Sequence, residues 1–335
     1  MPRQLSVRRF YLSGKNKISI SNPCHSRTLQ CLWRLLLLVL LCYLIVLWQS
    51  GQQDGAPALV ADVALRQRVQ IFCIIVTYGH RHEGVGVHVK RTWTKHCNQY
   101  LFVSDDSHEE LEPAVFMHRP DKWQRMRAHM EYVYKYHYFD ENHWFLYAND
   151  DNFVVVENLR FMLQHHNSNE PIYFGCKLRT PQNETYMYGA SAMVLSSEAL
   201  VRFVLQALPN ASLCSQEDHG DAADEQFGIC MSNVKVLAGD SRDVWSNHTF
   251  LPFEAEVHVG SRMNASLEKH KYFLDRSYYE VHNLRLPVSK YSISYHVEYM
   301  PDIYDLYYFT HLVNIFGQIQ HKDIQNAFGS ADVKP

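Results

Sequence analysis

The most informative segment of this chain is Trp144-Phe145-Leu146-Tyr147-Ala148-Asn149-Asp150-Asp151-Asn152-Phe153-Val154-Val155-Val156. It places adjacent carboxylates after one apolar run and directly before another. Carboxylate and amide oxygens bind hard divalent cations such as Mg²⁺ or Mn²⁺, and such a cation can hold the diphosphate of a nucleotide-sugar. The segment therefore indicates a metal-dependent sugar transferase. The alternative is a polar turn between two strands, because Asn and Asp are common in turns.

On both sides of this segment, apolar β-rich runs alternate with stretches of helical periodicity. The predicted strands are Gln70–Thr77, Gln99–Ser104, Trp144–Tyr147 and Pro171–Gly175. The predicted helices are His88–His96, Trp123–Tyr138, Asn158–His166 and Ser196–Leu208. This alternation predicts an α/β sandwich with a mostly parallel central sheet, whose ligands bind beyond the carboxyl ends of the strands. Strand ends at Thr77, Ser104 and Asn149 are then expected to surround one crevice.

The amino-terminal part of the chain predicts a membrane anchor. Residues 1–34 carry basic side chains and no Asp or Glu, and residues 35–48 form an uncharged apolar run. We expect a cytoplasmic tail at 1–34, a single transmembrane signal anchor at 35–48 and a stem at 49–68. A lumenal transferase domain at 69–320 and a short tail at 321–335 complete the predicted organisation. The alternative for the apolar run is a cleaved signal peptide.

Composition agrees with a globular body in an oxidising compartment. The chain has 335 residues, of which 47% are apolar and 20% are charged, and its net charge of −3 gives no indication of nucleic-acid binding. N-glycosylation sequons begin at Asn183, Asn210, Asn247 and Asn264. The body contains an odd number of cysteines, namely Cys73, Cys97, Cys176, Cys214 and Cys230. One of them is therefore unpaired or bonded to another chain.

Several motifs, taken in their order along the chain, resemble one enzyme family. They are His88-Val89-Lys90-Arg91-Thr92-Trp93, Asn149-Asp150-Asp151, Glu170–Gly175, Tyr186-Met187-Tyr188-Gly189, Val194–Leu200, Ala238–Asp243 and Thr249–Phe253. Together they resemble the core 1 β1,3-galactosyltransferases over most of the body. The resemblance implies a GT-A-like, Golgi-resident type II membrane protein. Such a protein transfers galactose from UDP-galactose to the 3-hydroxyl of GalNAc on glycoproteins, with inversion and with Mn²⁺ as cofactor.

The resemblance also implies roles for particular residues. The metal ligands would be Asn149, Asp150, Asp151 and His296. Thr77, Lys90 and Gly189 would lie at the nucleotide-sugar, with Lys90 or Arg91 stabilising the departing UDP. Asp224 would be the catalytic base, with Asp221 and Glu225 in reserve.

The resemblance further pairs Cys73 with Cys97 and Cys214 with Cys230. Cys176 is then left over, either free or in an interchain bridge, and a homodimer stays open. These disulfides and the oligomeric state are expectations from the resemblance.

Two positions depart from the family pattern. Asn149 stands where the family has an Asp, and Ala223 stands where it has an acid before Asp224. One unit charge near a protein surface interacts with about 4 kcal/mol at 4 Å, so its loss should weaken cation binding. Two alternatives therefore stay open beside the transferase. They are a catalytically inactive folding partner of an active galactosyltransferase and a lumenal glycan-binding protein.

Overall fold

A computed structural model of the protein describes residues 33–44, 64–119, 121–138 and 144–313. The chain divides into two compact units, Met1–Pro57 and Ala58–Pro335. In the first unit residues 33–44 form an exposed helix. Across these four ranges, no helix combines the length and the apolar character needed to cross a bilayer. Outside the described residues lie 1–32 of the predicted basic tail, 45–48 of the predicted anchor, 49–63 of the predicted stem and the predicted tail at 321–335.

The second unit is built on a seven-stranded sheet flanked by two small two-stranded sheets. The strands are β1 (Ile71–Val76), β2 (Gln99–Ser104), β3 (Ala114–Phe116), β4 (Trp144–Asn149), β5 (Asn152–Val154), β6 (Ile172–Gly175), β7 (Lys177–Arg179), β8 (Thr185–Met187), β9 (Met193–Ser196), β10 (Leu237–Ala238) and β11 (Ser294–His296). The order in the large sheet is β10-β6-β9-β4-β1-β2-β3. β9 pairs antiparallel with both neighbours and the other pairs are parallel, so the predicted mostly parallel sheet is confirmed.

Helices cover this sheet. They are α1 (Val87–Arg91), α2 (Lys122–His137), α3 (Val156–Leu163), α4 (Ser197–Arg202), α5 (Ala223–Asn233), α6 (Ala255–Val259), α7 (Glu268–Arg276) and α8 (Met300–Tyr307). Local capping sets two of the starts. The carboxylate of Asp121 accepts a hydrogen bond from the N–H of Gln124 at the start of α2. The hydroxyl of Ser196 accepts one from Ala199 at the start of α4.

The central strand β1 shows why the fold is a sandwich. Its residues Ile71, Cys73 and Ile75 belong to one buried apolar cluster, and the alternate residues belong to another. Because side chains of a strand point alternately to the two faces, both faces of the sheet are covered. A strand buried on both faces has a continuous apolar sequence. This is why β1 could be predicted from the sequence.

Three elements differ from the prediction. The expected helix Ser196–Leu208 starts at Ser197, because the preceding Met193–Ser196 is an antiparallel strand. The expected helix His88–His96 is interrupted at Thr92, whose backbone leaves the helical region and whose hydroxyl donates to the carbonyl of His88. Helix α3 begins at Val156, two residues before the predicted start.

Cysteine pairing follows the expectation. Cys73 bonds Cys97 and Cys214 bonds Cys230. Cys176 is 3% exposed and unbonded. The interchain bridge through Cys176 is therefore wrong for this conformation, because the thiol is enclosed by its own chain.

Candidate active site

A cavity of about 940 Å³ opens where β1 and β4 end. Val76 and Asn149, the paired last residues of these two strands, line it together with Asp150 and Asp151. The predicted crevice at the carboxyl ends of the parallel strands is thus present. Ser104 does not line it, because its hydroxyl hydrogen-bonds the ring of His82 at 2.7 Å instead.

The acidic turn is fixed by its own backbone and by Asn152. The N–H of Asp150 donates to the carbonyl of Val76 at 2.9 Å, which extends the β1–β4 ladder into the turn. The buried side chain of Asn152 accepts from the N–H of Asn149 at 3.1 Å and donates to the carbonyl of Ala190 at 2.8 Å. The turn is therefore held on both sides, and its carboxylates have defined directions.

Asp150 has protein partners. Thr77 Oγ1 donates to Asp150 Oδ2 at 2.8 Å, and Arg81 Nε lies 2.9 Å from Oδ1 and 3.0 Å from Oδ2. The side chain of Asp150 is 3% exposed. Its charge is thus compensated by Arg81, and Thr77 acts on this carboxylate rather than lining the cavity.

Asp151 and His296 have complementary atoms without partners. Asp151 Oδ1 and His296 Nδ1 are both buried and, within the described ranges, neither has a hydrogen-bond partner. They are 3.9 Å apart, which is too long for a hydrogen bond. Burial raises the pKa of Asp151. One carboxylate oxygen and one imidazole nitrogen facing each other form a donor pair suited to a first-row divalent cation.

Backbone pairing brings these two residues together. β11 runs antiparallel to β5, with His296 opposite Asn152. The N–H of Val297 then donates to the carbonyl of Asp151 at 2.8 Å. The separation of the two side chains is therefore set by a ladder of backbone hydrogen bonds.

Asp224 lies on the same cavity, in the first turn of α5. Its Oδ2 accepts from the N–H of Gly189 and its Oδ1 from the N–H of Glu225, both at 2.9 Å. Burial raises the pKa of Asp224 to about 6, although these hydrogen bonds act in the opposite direction. Gly189 places its backbone against this carboxylate, and a Cβ there would lie 3.5 Å from Oδ2. The arrangement suits a general base.

Asp221 and Glu225, the two alternative candidates for the base, already have side-chain partners. The side chain of Asp221 is 91% exposed and pairs with Lys122 at 2.5 Å. Glu225 accepts from the hydroxyl of Tyr272 at 2.9 Å. Asp224 is therefore better suited than either neighbour to take a proton from a bound hydroxyl.

Lys90 is not brought to the cavity. Its ammonium donates to the backbone carbonyls of Glu110 and Glu112, and neighbouring Arg91 pairs with the carboxylate of Glu110 at 2.6 Å. Helix α1 thus places the side chains of Lys90 and Arg91 against the segment around Glu110 and Glu112. The expected contact of Lys90 with a diphosphate is thus not supported by its position.

Four other cations line the cavity, and the sequence analysis missed them. They are Arg81, Lys122, Arg125 and Lys269. Three of them pair with carboxylates, whereas Arg125 has no such ion pair among the residues the structure describes. Its guanidinium donates to the carbonyl of Arg119 and lies 5.3 Å from the ring centre of Tyr78. The sequence feature that could have indicated a role for Arg125 is its position in the first turn of helix α2, beside the strand ends.

Comparison with known proteins adds a family to this geometry. A model of the Fringe-like family matches residues 67–241. The glycoprotein-N-acetylgalactosamine 3-β-galactosyltransferase 1 of Xenopus laevis is 34% identical over 258 residues, which cover 76% of this chain and 69% of the relative.

The chain belongs to the core 1 β1,3-galactosyltransferase-like group of the Fringe-like family. This family places it among the glycosyltransferases.

Other relatives match this glycosyltransferase over shorter stretches. Human chondroitin sulfate synthase 3 is 26% identical over 171 residues, which cover 45% of this chain and 18% of the relative. Among solved structures, Drosophila β1,4-galactosyltransferase 7 in complex with xylobiose is 13% identical, with a TM-score of 0.34 over 64% of this chain and 78% of that one.

Proposed function

We propose that this glycosyltransferase transfers galactose from UDP-galactose to the 3-hydroxyl of GalNAc linked to Ser or Thr of glycoproteins, inverting the anomeric carbon with the help of Mn²⁺. The name of the Xenopus relative supports the acceptor. The observation that carries the proposal is the pair Asp151 and His296, whose facing atoms lie buried beside the cavity and have no hydrogen-bond partner among the described residues.

Asp151 and His296 would hold the cation, and the side-chain amide of Asn149 at the cavity could add an oxygen. A bound Mn²⁺ supplies compensation for the negative charge of the nucleotide diphosphate. Asp150 would fix the shape of the turn rather than bind the cation itself, because Thr77 and Arg81 already hydrogen-bond its carboxylate oxygens. Asn149 lacks the negative charge of an Asp. We therefore expect this site to bind Mn²⁺ more weakly than a site with an Asp at this position.

Asp224 would accept the proton of the acceptor hydroxyl. The hydroxyl oxygen attacks the anomeric carbon from the face opposite the nucleotide, and the bond from that carbon to the diphosphate oxygen breaks. The bonding electron pair leaves with UDP, and the proton stays on Asp224. Since the pKa of Asp224 is raised only to about 6, most of these carboxylates are ionised at neutral pH.

Arg125 is the best candidate for binding the leaving group. It lines the cavity, and within the described residues no carboxylate neutralises it. A guanidinium donates several hydrogen bonds in a fixed geometry that matches phosphate oxygens. It would therefore take the part that the sequence assigned to Lys90.

The test is an assay of the purified full-length chain with UDP-galactose, UDP-glucose and UDP-GlcNAc against a GalNAc-bearing peptide, with and without Mn²⁺. We expect galactose transfer that depends on Mn²⁺. Asp151→Asn and His296→Ala should each weaken Mn²⁺ binding at least about 10-fold. His282→Ala is the matched control, because that side chain is 74% exposed. Absence of both Mn²⁺ binding and transfer would refute the proposal.

One observation favours a second candidate, a catalytically inactive folding partner of an active galactosyltransferase. Arg81 already compensates Asp150, and Asn149 is uncharged, so the turn offers a bound cation less negative charge than three free carboxylates would. Co-purification with an active galactosyltransferase, unchanged by Asp151→Ala, would support this candidate. Binding of GalNAc-peptide without any nucleotide would instead indicate a glycan-binding protein.

We further propose that the protein is a single-pass type II Golgi membrane protein with a GT-A-like lumenal domain, anchored by residues 35–48. The basic residues before the apolar run and the four sequons after it support this orientation. Protease protection of the body in intact microsomes, together with glycosidase-sensitive mobility, would test it. A body digested without detergent would contradict it.

A further inference from the structure

A second group of metal-ligating side chains lies outside the cavity. It consists of His96, Glu157 and His311, whose ligand atoms all lie within 4.8 Å of one another. The three residues come from separate parts of the chain: the turn Trp93–His96, the first turn of α3 and the segment Tyr308–Leu312. None of them lines the cavity or contacts Asp151.

Both imidazoles face the same carboxylate. His96 Nδ1 lies 2.5 Å from Glu157 Oε1, and His311 Nε2 lies 3.1 Å from Glu157 Oε2. The rings of the two histidines are 4.1 Å apart between centroids. Side-chain exposure is 22% for His96, 30% for Glu157 and 9% for His311. The group is thus sheltered but still reachable from solvent.

Hydrogen-bond directions around His311 show that this group needs a positive charge. Thr310 Oγ1 lies 2.6 Å from the carbonyl of Leu306 and must donate its single proton there. The hydroxyl can then only accept from His311 Nδ1, which is 2.7 Å away. The other nitrogen of a neutral His311, Nε2, carries a lone pair that faces a carboxylate oxygen of Glu157. Two acceptors at 3.1 Å repel each other unless a proton on Nε2 or a bound metal ion supplies positive charge.

We propose that His96, Glu157 and His311 form a binding site for one Zn²⁺ ion. Two imidazole nitrogens and one carboxylate oxygen are a donor set that zinc commonly takes, with a fourth position open to water. The other nitrogen of each ring has a hydroxyl neighbour, Thr310 for His311 and Tyr307 for His96, the latter at 3.3 Å. Such outer contacts orient metal-binding histidines. To admit the ion, the Glu157 side chain, which is 30% exposed, would have to draw back from His96.

The site would hold the C-terminal helix against the body. In α8, Ile303 is the one fully buried side chain, while Tyr304, Tyr308, Phe309 and Leu312 around it are exposed. A zinc ion bound to His311 would add a further attachment, joining this segment to the turn before Cys97 and to α3. Because α8 follows β11 closely, the ion would also stabilise the segment that carries His296. The proposal does not depend on transferase activity.

The test is zinc titration of the chelator-stripped full-length chain, by calorimetry and by thermal unfolding. To leave the other candidate metal pair out of the result, both measurements are repeated with the double variant Asp151→Asn/His296→Ala. We expect one zinc ion per chain in the double variant, bound at His96, Glu157 and His311. With zinc at about 100 times Kd, the Tm should rise by about 5–10 °C.

Added to the double variant, Glu157→Gln and His311→Gln should each weaken zinc binding at least about 10-fold and abolish the rise in Tm. His88→Ala is the matched control, because His88 also joins the body to α8, through the hydroxyl of Tyr304 at 2.9 Å, but has no carboxylate partner there. It should leave zinc binding unchanged. If the double variant binds no zinc, or if adding Glu157→Gln to it leaves zinc binding unchanged, the proposed site does not exist. If a Glu157 or His311 variant fails to fold, zinc binding by the double variant Asp151→Asn/His296→Ala still decides whether the site exists.

Discussion

A single nitrogen of Arg81 lies within 3.0 Å of both carboxylate oxygens of Asp150. This contact places a cation in the acidic turn that the sequence pattern assigned to a metal. It also gives the adjacent Asp150 and Asp151 different roles. Asp150 is compensated inside the protein, while Asp151 keeps a buried oxygen without a partner in the described residues.

Arg81→Met should destabilise the protein, because it leaves the charge of Asp150 buried and unpaired. The side chains of Arg81 and Asp150 are 31% and 3% exposed, so we expect a loss of about 1–3 kcal/mol in the free energy of unfolding. Urea denaturation measures it. Arg91→Met removes a pair whose side chains are 50% and 40% exposed, and should lower the free energy of unfolding far less than Arg81→Met does. Equal losses in the two variants would show that burial of Asp150 is not decisive.

Asp224→Asn should lower kcat by about 100-fold to 10,000-fold, because the acceptor hydroxyl loses its base. A base must be ionised to act, and the pKa of Asp224 is raised to about 6 by burial. Activity of the wild type should therefore be full above about pH 7 and fall to half near pH 6 as the pH is lowered. The measurement is kcat against pH. Asp221→Asn, three residues away and exposed, should keep both the rate and the profile.

Arg125→Met should raise KM for the UDP-sugar about 10-fold, because a phosphate-binding guanidinium is lost. Initial rates at varied donor concentration measure this. Arg127→Met is the control on the same helix, since Arg127 lies over the ring of Trp123 at 5.4 Å and outside the cavity. The assignment fails if the two variants have the same KM.

Gly228→Ala should both destabilise the protein and impair catalysis. A Cβ at this position would lie 2.4 Å from Cβ of Tyr186 and 2.8 Å from the carbonyl of Thr185, so α5 would have to move away from β8. We expect a loss of about 1–3 kcal/mol in unfolding free energy, with a lower kcat because α5 carries Asp224. Gly84→Ala, with nothing within 4 Å of the new Cβ, should change stability by less than about 1 kcal/mol. A folded Gly228→Ala with wild-type kcat would argue against this coupling.

Cys176 should be inert in the native protein. Burial raises the pKa of its thiol to about 12, and a protonated, enclosed thiol does not react with alkylating reagents. Iodoacetamide labelling followed by peptide mass spectrometry should modify Cys176 only after denaturation. Rapid labelling of native Cys176 would contradict its placement.

The sheet could be predicted from the sequence where its strands are buried on both faces. β1 and β2 appear as continuous apolar runs, and their bounds follow directly from them. β9 was missed because Met193–Ser196 runs straight into a helix, so no turn signal separates the two elements. β11 has only three residues, and its pairing with β5 depends on a contact between distant parts of the chain.

The candidate site was predictable only in part. Asp151 and Asp224 were found through local patterns and the family resemblance, and both lie at the cavity. Arg125 was missed because a single cation on a helix has no distinctive spacing. Lys90 was misplaced because the sequence does not show which way a short helix turns its side chains. The group around Glu157 joins three distant segments, so no local pattern reveals it.

The pairing of β5 with β11 affects the order of events during biosynthesis. A ribosome completes Asp151 long before it reaches His296, so a nascent chain can form most of the sheet before both members of the proposed metal-binding pair exist. Mn²⁺ binding by this pair would therefore have to wait until β11 has been made. A product that ends before β11 would lack His296 and also the buried Val297 and Ile303, so we expect it to be less stable and unable to bind Mn²⁺ at this position.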